Sequence, residues 1–519
     1  MPATDYAEAP SQPPSGNESI DQAHPSSNSA SHGFHPELVF AIVRAVGTPD
    51  DVVLRRLTTE LQSYGYGVEH IGLSGLLQDL AADDGAQVPQ DEAERVKFLI
   101  QRGDSLCQGL DLPEVVALLA LQEVRAHRVA QHRKNAQAGD DIALSRRPVT
   151  RQAYILDSLK RVAEVTVLRE IYGDRLVLLG LRANQTTRKD SVREKVRAAR
   201  SEIKDKELDM LAEELFDLDE REPGRFGQDV QRTLPLADVF INVDDNPEDA
   251  VERLLRLMFG DPKYCPPTAP EYGMAVASLA ETRSPELGRK VGAALVTENY
   301  EVIAQGANVN NVQPGSPGLD EGVRDIRALV LDTLRQLAPN LNEVTRQALE
   351  ADGESLARDL LAGSLKDGQI VNLTEFQRPV HAEMSTLMSA LRSRSDISNA
   401  VMYVTAEPCH NCSKHLLDLG LSTQYLTPYP KGRAAVMFGA DIVAEHFQPF
   451  NGIAPRRYRA LFEVTADRKT TAGVRKPFNQ KERKEATPSL DPFVAAGLIE
   501  REDAALDVLA VRRAVQEGS

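Results

Sequence analysis

The sequence predicts an α/β protein in which a domain with a mostly parallel sheet is followed by a second α/β domain. Three observations carry that expectation. Between about Pro36 and Asp261, short apolar runs alternate with amphipathic stretches, the order that builds a parallel sheet. The run Leu38-Val39-Phe40-Ala41-Ile42-Val43 is apolar throughout rather than at every second position, as in a strand covered on both faces. Beyond about Tyr264 the order changes to a helix, a tight strand pair, an inserted segment and another strand.

The elements follow in chain order. Residues 1–34 are rich in Pro, Ser, Ala, Asn and acidic side chains; they lack the apolar surface needed to fold and are expected to be a disordered leader. The strand Leu38–Val43 runs through Arg44-Ala45-Val46-Gly47-Thr48-Pro49 into a helix over Asp51–Ser63, where Val52, Val53, Leu57 and Leu61 recur at helical spacing. Tyr66–Leu73 reads as a second strand, and Asp91–Leu110 and Leu112–Lys134 as helices. Further strands are Ala153–Leu156, Arg175–Leu181 and Asp238–Val243, the last two separated by a charged helical region over 187–219. A helix over Tyr272–Glu281 then leads to the strands Gly292–Thr297 and Glu301–Gly306, turned at Asn299. Residues 312–370 interrupt this core with a Gly/Pro-rich loop (313–318) and two acidic amphipathic helices. The tail is basic at first and reads as helical from Leu490. The expected boundaries are 1–34, 35–262, 263–465 and a C-terminal tail over 466–519.

Composition narrows the class. Acidic residues outnumber basic ones by 77 to 60, a net charge of −17 that argues against a general nucleic-acid-binding surface. The 4 cysteines form no disulfide framework, which fits a reducing compartment. No apolar run approaches membrane-spanning length, and the N-terminus lacks the basic-then-apolar pattern of a signal peptide. The expectation is a soluble cytoplasmic protein with no membrane partner.

The chemistry concentrates in two short segments, Val380-His381-Ala382-Glu383-Met384 and Glu407-Pro408-Cys409-His410-Asn411-Cys412. A catalytic zinc site needs three protein ligands and an open position for water. His381 offers an imidazole, and Cys409 and Cys412 offer thiolates three residues apart at the start of a helix, with Pro408 suited to its first turn. Glu383 stands two residues from His381 and is better placed to carry protons than to bind metal. A structural zinc site would need a fourth ligand, for which His410 is the adjacent candidate. A redox C-x-x-C pair would leave His381 and Glu383 unexplained.

The strand–loop–helix at Gly47-Thr48 invites comparison with a phosphate loop, yet G-x-x-x-x-G-K-[ST] is absent: there is no lysine and no first glycine. Gly47 and Thr48 stay as a degenerate phosphate-loop candidate, since a helix N-terminus can still hold an anion. Asp157 reads either as a magnesium-binding acid or as a plain strand-end aspartate. The basic stretch Arg182–Lys206 reads either as a solvated helix face or as a phosphate or RNA contact.

The H-x-E and P-C-x-x-C spacing resembles that of zinc-dependent nucleobase deaminases. Over about 270–447 the chain is similar to the deoxycytidylate deaminase branch of the cytidine deaminase superfamily. It shares Gly288-Arg289-Lys290-Val291-Gly292-Ala293-Ala294 and Gly306-Ala307-Asn308 besides the zinc segments. With Leu168-Arg169-Glu170-Ile171-Tyr172-Gly173-Asp174, Phe226-Gly227-Gln228-Asp229-Val230, Pro428-Tyr429-Pro430-Lys431-Gly432 and Phe450–Tyr458, residues 36–465 resemble bacterial anti-phage dCTP deaminases.

That resemblance implies an N-terminal P-loop-kinase-like parallel α/β domain and a cytidine-deaminase-like α/β/α domain. It implies conversion of free deoxycytidine nucleotides, dCTP and dCMP, to deoxyuridine nucleotides and ammonia, which depletes dCTP during phage infection. By position, Zn2+ falls to His381, Cys409 and Cys412, and the proton shuttle to Glu383. The Ala382 N–H would meet the base carbonyl, Asn308 the base or sugar, and Tyr429 and Lys431 the phosphate end. A small regulatory RNA and a homo-oligomeric assembly are the partners the resemblance implies. Two other readings stay open. RNA-editing adenosine deaminases carry the same zinc motif, and a catalytically silent nucleotide- or RNA-sensing regulator would keep the fold.

Overall fold

The computed structural model describes residues 35–517 apart from 136, 138, 201, 221–225, 264, 287, 310–320, 367, 373–378, 430–432, 464–467 and 490–496. The leader 1–34, the loop 313–318 and Lys431 therefore lie outside the described residues. The first strands are β1 (Leu38–Arg44), β2 (Gly67–Gly72), β3 (Gln152–Leu159), β4 (Leu176–Arg182) and β5 (Val239–Asn242). They are followed by β6 (Gly292–Thr297), β7 (Val302–Ala307), β8 (Ala400–Ala406), β9 (Thr423–Thr427), β10 (Phe447–Pro449) and β11 (Gly452–Ile453).

The first sheet has the order β11-β5-β4-β1-β3-β2. Its strands β2, β3, β1, β4 and β5 are parallel, and β11 pairs antiparallel at the edge. The apolar run of β1 sits in the middle, as its two-faced burial requires. Val39, Ala41 and Val43 face one core with the helices Glu92–Gly109, Val115–Lys134 and Val162–Tyr172. Leu38, Phe40 and Ile42 face the other, with Asp51–Ser63 and Pro247–Met258.

The second sheet has the order β10-β9-β8-β6-β7, with β6 antiparallel to β7 and β8, and β8, β9 and β10 parallel. Alternation decides its layers. Ala294, Val296 and Tyr403 meet helix Ala269–Glu281, whereas Ala293, Leu295, Met402 and Val404 meet the opposite core with Ala382, Ala390 and Leu416. The result is the α/β/α sandwich expected of this half.

Helix Ala269–Glu281 also joins the sheets: Met274 and Ala277 belong to the same apolar cluster as Phe240 and Phe450. A buried cation reinforces the joint. Arg182, at the end of β4, donates to the Phe450 carbonyl (2.6 Å) and the Leu426 carbonyl (3.1 Å), with its guanidinium 4.4 Å from the Phe240 ring. Burial lowers its pKa to about 10. Glu271, fully buried, accepts from Arg253 on both oxygens at 2.7 Å and from the Ile453 N–H at 2.9 Å. The segment after Phe447 thus returns to the first sheet, with β11 on β5 and helix Pro455–Phe462 in the core behind it.

The C-terminal helix Leu498–Glu517 returns as well. Arg128, 0% exposed, is held by Glu37 (2.7 Å) and by both oxygens of Glu502 (2.7 and 2.8 Å). The insert forms a hairpin of helices Glu321–Leu337 and Glu343–Ala362, closed on itself through Val330, Leu331 and Ala357.

Several local differences from the sequence reading have physical causes. Helix Leu73–Asp83 begins directly at the end of β2, with Gly72 as its N-cap, so no turn residues announce it. Helix Val162–Tyr172 occupies the space between β3 and β4 that the reading left unassigned. Pro247–Met258 carries a first-turn proline and buries Val251, Leu254, Leu255 and Met258, a helical pattern the reading passed over. The described tail helix starts at Leu498. The basic stretch resolves toward a helix face: Lys189 pairs with Glu213 (2.5 Å), Arg200 with Asp91 (2.6 Å), and Arg193 and Arg197 with Asp209 and Asp205. Among the described residues, no helix is long and apolar enough to cross a membrane.

One glycine shows how closely the layers approach. A Cβ on Gly292, at the start of β6, would lie 2.0 Å from the Ala277 carbonyl oxygen and 2.4 Å from the Glu281 nitrogen. Both are backbone atoms of helix Ala269–Glu281, so the helix itself would have to move. Gly292→Ala is expected to lower stability by about 1–3 kcal/mol, as overpacking does; an unchanged thermal midpoint would contradict this.

Candidate active site

Two helix N-termini converge at the carboxyl ends of β7 and β8, beside the amino end of β6. β8 ends at Ala406, and Glu407-Pro408 carry the chain to Cys409, the N-cap of helix His410–Asp418 (φ −66°, ψ 163°). Cys412 lies in its first turn. Pro408 therefore precedes the cap and is not in the first helical turn, because Cys409 takes the extended conformation a cap requires. His381 is the N-cap of helix Ala382–Arg392 (φ −63°, ψ 154°). Paired hydrogen bonds between Val309 and Val380, 2.9 and 3.1 Å, hold His381 against the end of β7.

The three side chains meet. Cys409 Sγ and Cys412 Sγ each lie 3.4 Å from His381 Nδ1, and all three atoms are within 4.8 Å of one another. Zinc bonds of about 2.0–2.1 Å to nitrogen and 2.3 Å to sulfur, opened to a tetrahedral angle, set nitrogen and sulfur ~3.5 Å apart. The donor set and its spacing fit zinc. The positive end of helix His410–Asp418 favours a thiolate at Cys409, whereas the hydrogen bond to Cys409 and burial push the Cys412 thiol up. Hydrogen bonds from Cys412 and His381 push the Cys409 thiol down to about 4, and the bond to Cys409 raises His381 to about 9. His410 is not part of this cluster.

Glu383 is the second residue of its helix, only 4% exposed, and lines the same cavity of about 350 Å³. Burial raises its pKa, opposed by the charge of His381. A carboxyl group that gains and releases a proton readily is what a proton carrier needs. Ala382, fully buried, contributes a first-turn N–H. Asn308 lines the cavity with its amide engaged: Oδ1 accepts from the Val291 N–H (2.7 Å) and Nδ2 donates to the Arg289 carbonyl (2.9 Å). Tyr429 lines it too; its N–H donates to Glu407 Oε2 (2.8 Å), and the Arg289 guanidinium lies 5.7 Å from its ring centre.

The fold thus gathers His381, Ala382, Glu383, Asn308, Cys409, Cys412 and Tyr429. Gly47 and Thr48 lie instead at the first sheet, at the end of β1. Arg289 and Glu407 were quoted within motifs but assigned no role. The signal for Arg289 was its place beside the strand that opens the core, and for Glu407 its position just ahead of Pro408. Burial raises the Glu407 pKa, with the Tyr429 N–H opposing.

A buried carboxyl group beside a three-ligand zinc cluster, in a cavity of nucleotide size, belongs to metal-dependent hydrolases that act on nucleobases. Residues 267–427 match the family described as cytidine and deoxycytidylate deaminase zinc-binding region. The match covers the segment that carries the His381–Cys409–Cys412 cluster, and zinc is the cofactor that cluster fits. Among solved structures, the dCMP deaminase of the cyanophage S-TIM5 in apo form is similar at 16% identity, covering 35% of this chain and 94% of that one, with a TM-score of 0.20. The same phage's dCMP deaminase in complex with dCMP and dUMP is similar at 17% identity, covering 34% and 90%, also with a TM-score of 0.20. Among curated proteins, none matches the chain.

Proposed function

We propose that the chain deaminates free deoxycytidine nucleotides, dCTP and dCMP, releasing ammonia and the deoxyuridine nucleotide. The observation that carries this reading is Glu383, a buried carboxyl group sharing one cavity with the His381–Cys409–Cys412 cluster and with Arg289. Zinc, when bound, acidifies a water molecule toward neutral pH. Glu383 then takes a proton and delivers it to the ring nitrogen N3, and later hands a proton to the departing amino group at C4. The Ala382 N–H binds the base carbonyl, and Asn308 fixes the loop that carries Arg289 as well as facing the base or sugar. Arg289 and Tyr429, with Lys431, serve the phosphate end.

The parallel order β2-β3-β1-β4-β5 supports the kinase-like reading of the first half; a role in antiviral defence by depletion of dCTP rests on the resemblance of the sequence. The small RNA implied by the resemblance gains no support from Arg182–Lys206, where Lys189, Arg193, Arg197 and Arg200 are paired with carboxylates.

A nucleotide panel tests the substrate. Incubation with dCTP, dCMP, CTP and a tRNA pool is expected to convert the free deoxycytidine nucleotides, each gaining about 1 Da as an amino group is exchanged for oxygen. Conversion of tRNA alone would overturn the reading. Arg289→Ala is expected to raise KM for dCTP by about ten- to a hundredfold while leaving deoxycytidine little changed, because a charge-assisted contact contributes about 1.5–3 kcal/mol.

A further inference from the structure

A second cavity, of about 190 Å³, opens at the carboxyl ends of β1 and β3. It lies where the strand order reverses about β1, the crevice in which open α/β sheets take ligands. The part of this crevice suited to a phosphate is the loop from β1 into its helix, and the chain itself fills it. The Val46 N–H donates to Asp219 Oδ2 at 2.6 Å. Lys160 Nζ donates to Asp219 Oδ1 at 2.7 Å and to the Arg44 carbonyl at 2.8 Å. Asp219 is fully buried, so a carboxylate holds the place of an anion. Arg44 is neutralised by Asp50 (2.9 Å) and Asp157 (3.3 Å). Above Gly47 (φ +83°), the Arg188 carbonyl oxygen comes within 2.6 Å of where a Cβ would stand. A phosphate brought to this loop would meet carboxylates and a carbonyl; of the other cations lining the cavity, Arg95 is paired with Glu92 and Arg161 with Asp104 and Glu164, and Lys195 lines it as well.

What remains open differs in character. One wall is apolar, formed by Leu73, Leu77, Leu99, Ile100 and Val116. Gln228 lines the same cavity at 6% exposure, and its Oε1 has no hydrogen-bond partner. A buried carboxamide of this kind is matched by a ligand edge that presents a donor beside an acceptor, as nucleobase edges do. The volume is below the roughly 300–1,000 Å³ of sites for larger ligands.

We propose that this cavity binds an uncharged nucleobase, as the free base or the nucleoside, against the apolar wall and Gln228, and that Asp219 turns away the 5′-phosphorylated forms.

Calorimetric titration of the full-length, zinc-loaded chain with adenine, adenosine, thymine, thymidine and the two nucleoside triphosphates tests this. None of these probes carries a cytosine amino group. Saturable binding of at least one base or nucleoside is expected, and base against nucleoside affinity identifies the source. Its triphosphate should bind at least about tenfold more weakly, and Gln228→Leu should weaken the base or nucleoside by about tenfold or more while bound zinc is unchanged. Leu77→Phe, which fills the cavity from the apolar side, should give the same loss and serves if the first variant fails to fold. The proposal is overturned if no base or nucleoside binds at millimolar concentration, if the triphosphate binds more tightly, or if the variants leave affinity unchanged.

Discussion

Replacing Glu383 by glutamine is expected to cut deamination by about 10²–10⁴-fold while zinc stays bound, since the amide keeps the shape but cannot carry the proton. His381→Ala and Cys409→Ser are expected to remove metal and activity together. The two sulfurs and Nδ1 form one cluster, and a tetrahedral site reduced to two protein ligands holds zinc poorly. The helix start that carries Glu383 is anchored from outside the cluster, by the Val309–Val380 bonds, so the variant should leave the ligands in position. Metal content measured beside turnover separates the two classes. Loss of zinc in Glu383→Gln equal to that in Cys409→Ser would show that the carboxyl group is a ligand or a structural prop. A chelator strong enough to strip the site should abolish turnover in the parent chain, with recovery on adding zinc.

The second large effect concerns stability. Arg128→Met is expected to cost about 3–5 kcal/mol, because it leaves two carboxylates, Glu37 and Glu502, buried without the cation between them. Arg125 still reaches Glu502 at 3.1 Å, but Glu37 loses its guanidinium partner. Adding Glu37→Leu and Glu502→Leu to Arg128→Met should recover much of the loss, since apolar groups of similar size often replace a buried ion triad without penalty. Thermal unfolding of the three forms checks both statements. A single variant as stable as the parent would mean that water reaches the triad.

These two sites also mark how far the sequence could be read. His381, Glu383, Cys409 and Cys412 were legible because zinc fixes ligand type and spacing within short segments. The β1 run was legible because burial on both faces leaves no polar position. Arg128 was not: nothing in the sequence of its helix sets it apart from the neighbouring basic residues, and its partners lie 91 and 374 residues away. The same holds for Asp219, which meets Val46 across 173 residues. Gly47 and Thr48 could be singled out in the sequence as a phosphate-loop candidate, but the Asp219 carboxylate that binds the neighbouring Val46 N–H could not. The Arg182–Lys206 stretch stayed ambiguous because its neutralising acids, Asp205, Asp209 and Glu213, stand on the following helix, and only the fold brings them opposite. Asn308 was picked out for a contact to base or sugar and lines the cavity, yet its bonds to the Arg289–Val291 loop depend on tertiary structure.

The return of β11 and of the C-terminal helix to the first sheet has a consequence for synthesis. A ribosome makes β1 to β5 long before it reaches Ile453 or Glu502, so the first sheet waits with an open edge at β5 and with Arg128 paired to Glu37 but not yet to Glu502. Closing such distant contacts is slow relative to local ones. The nascent first half is therefore the stage most exposed to aggregation, and it is sealed only after the zinc-binding segment has emerged. Every completed first sheet is made together with the zinc-binding segment.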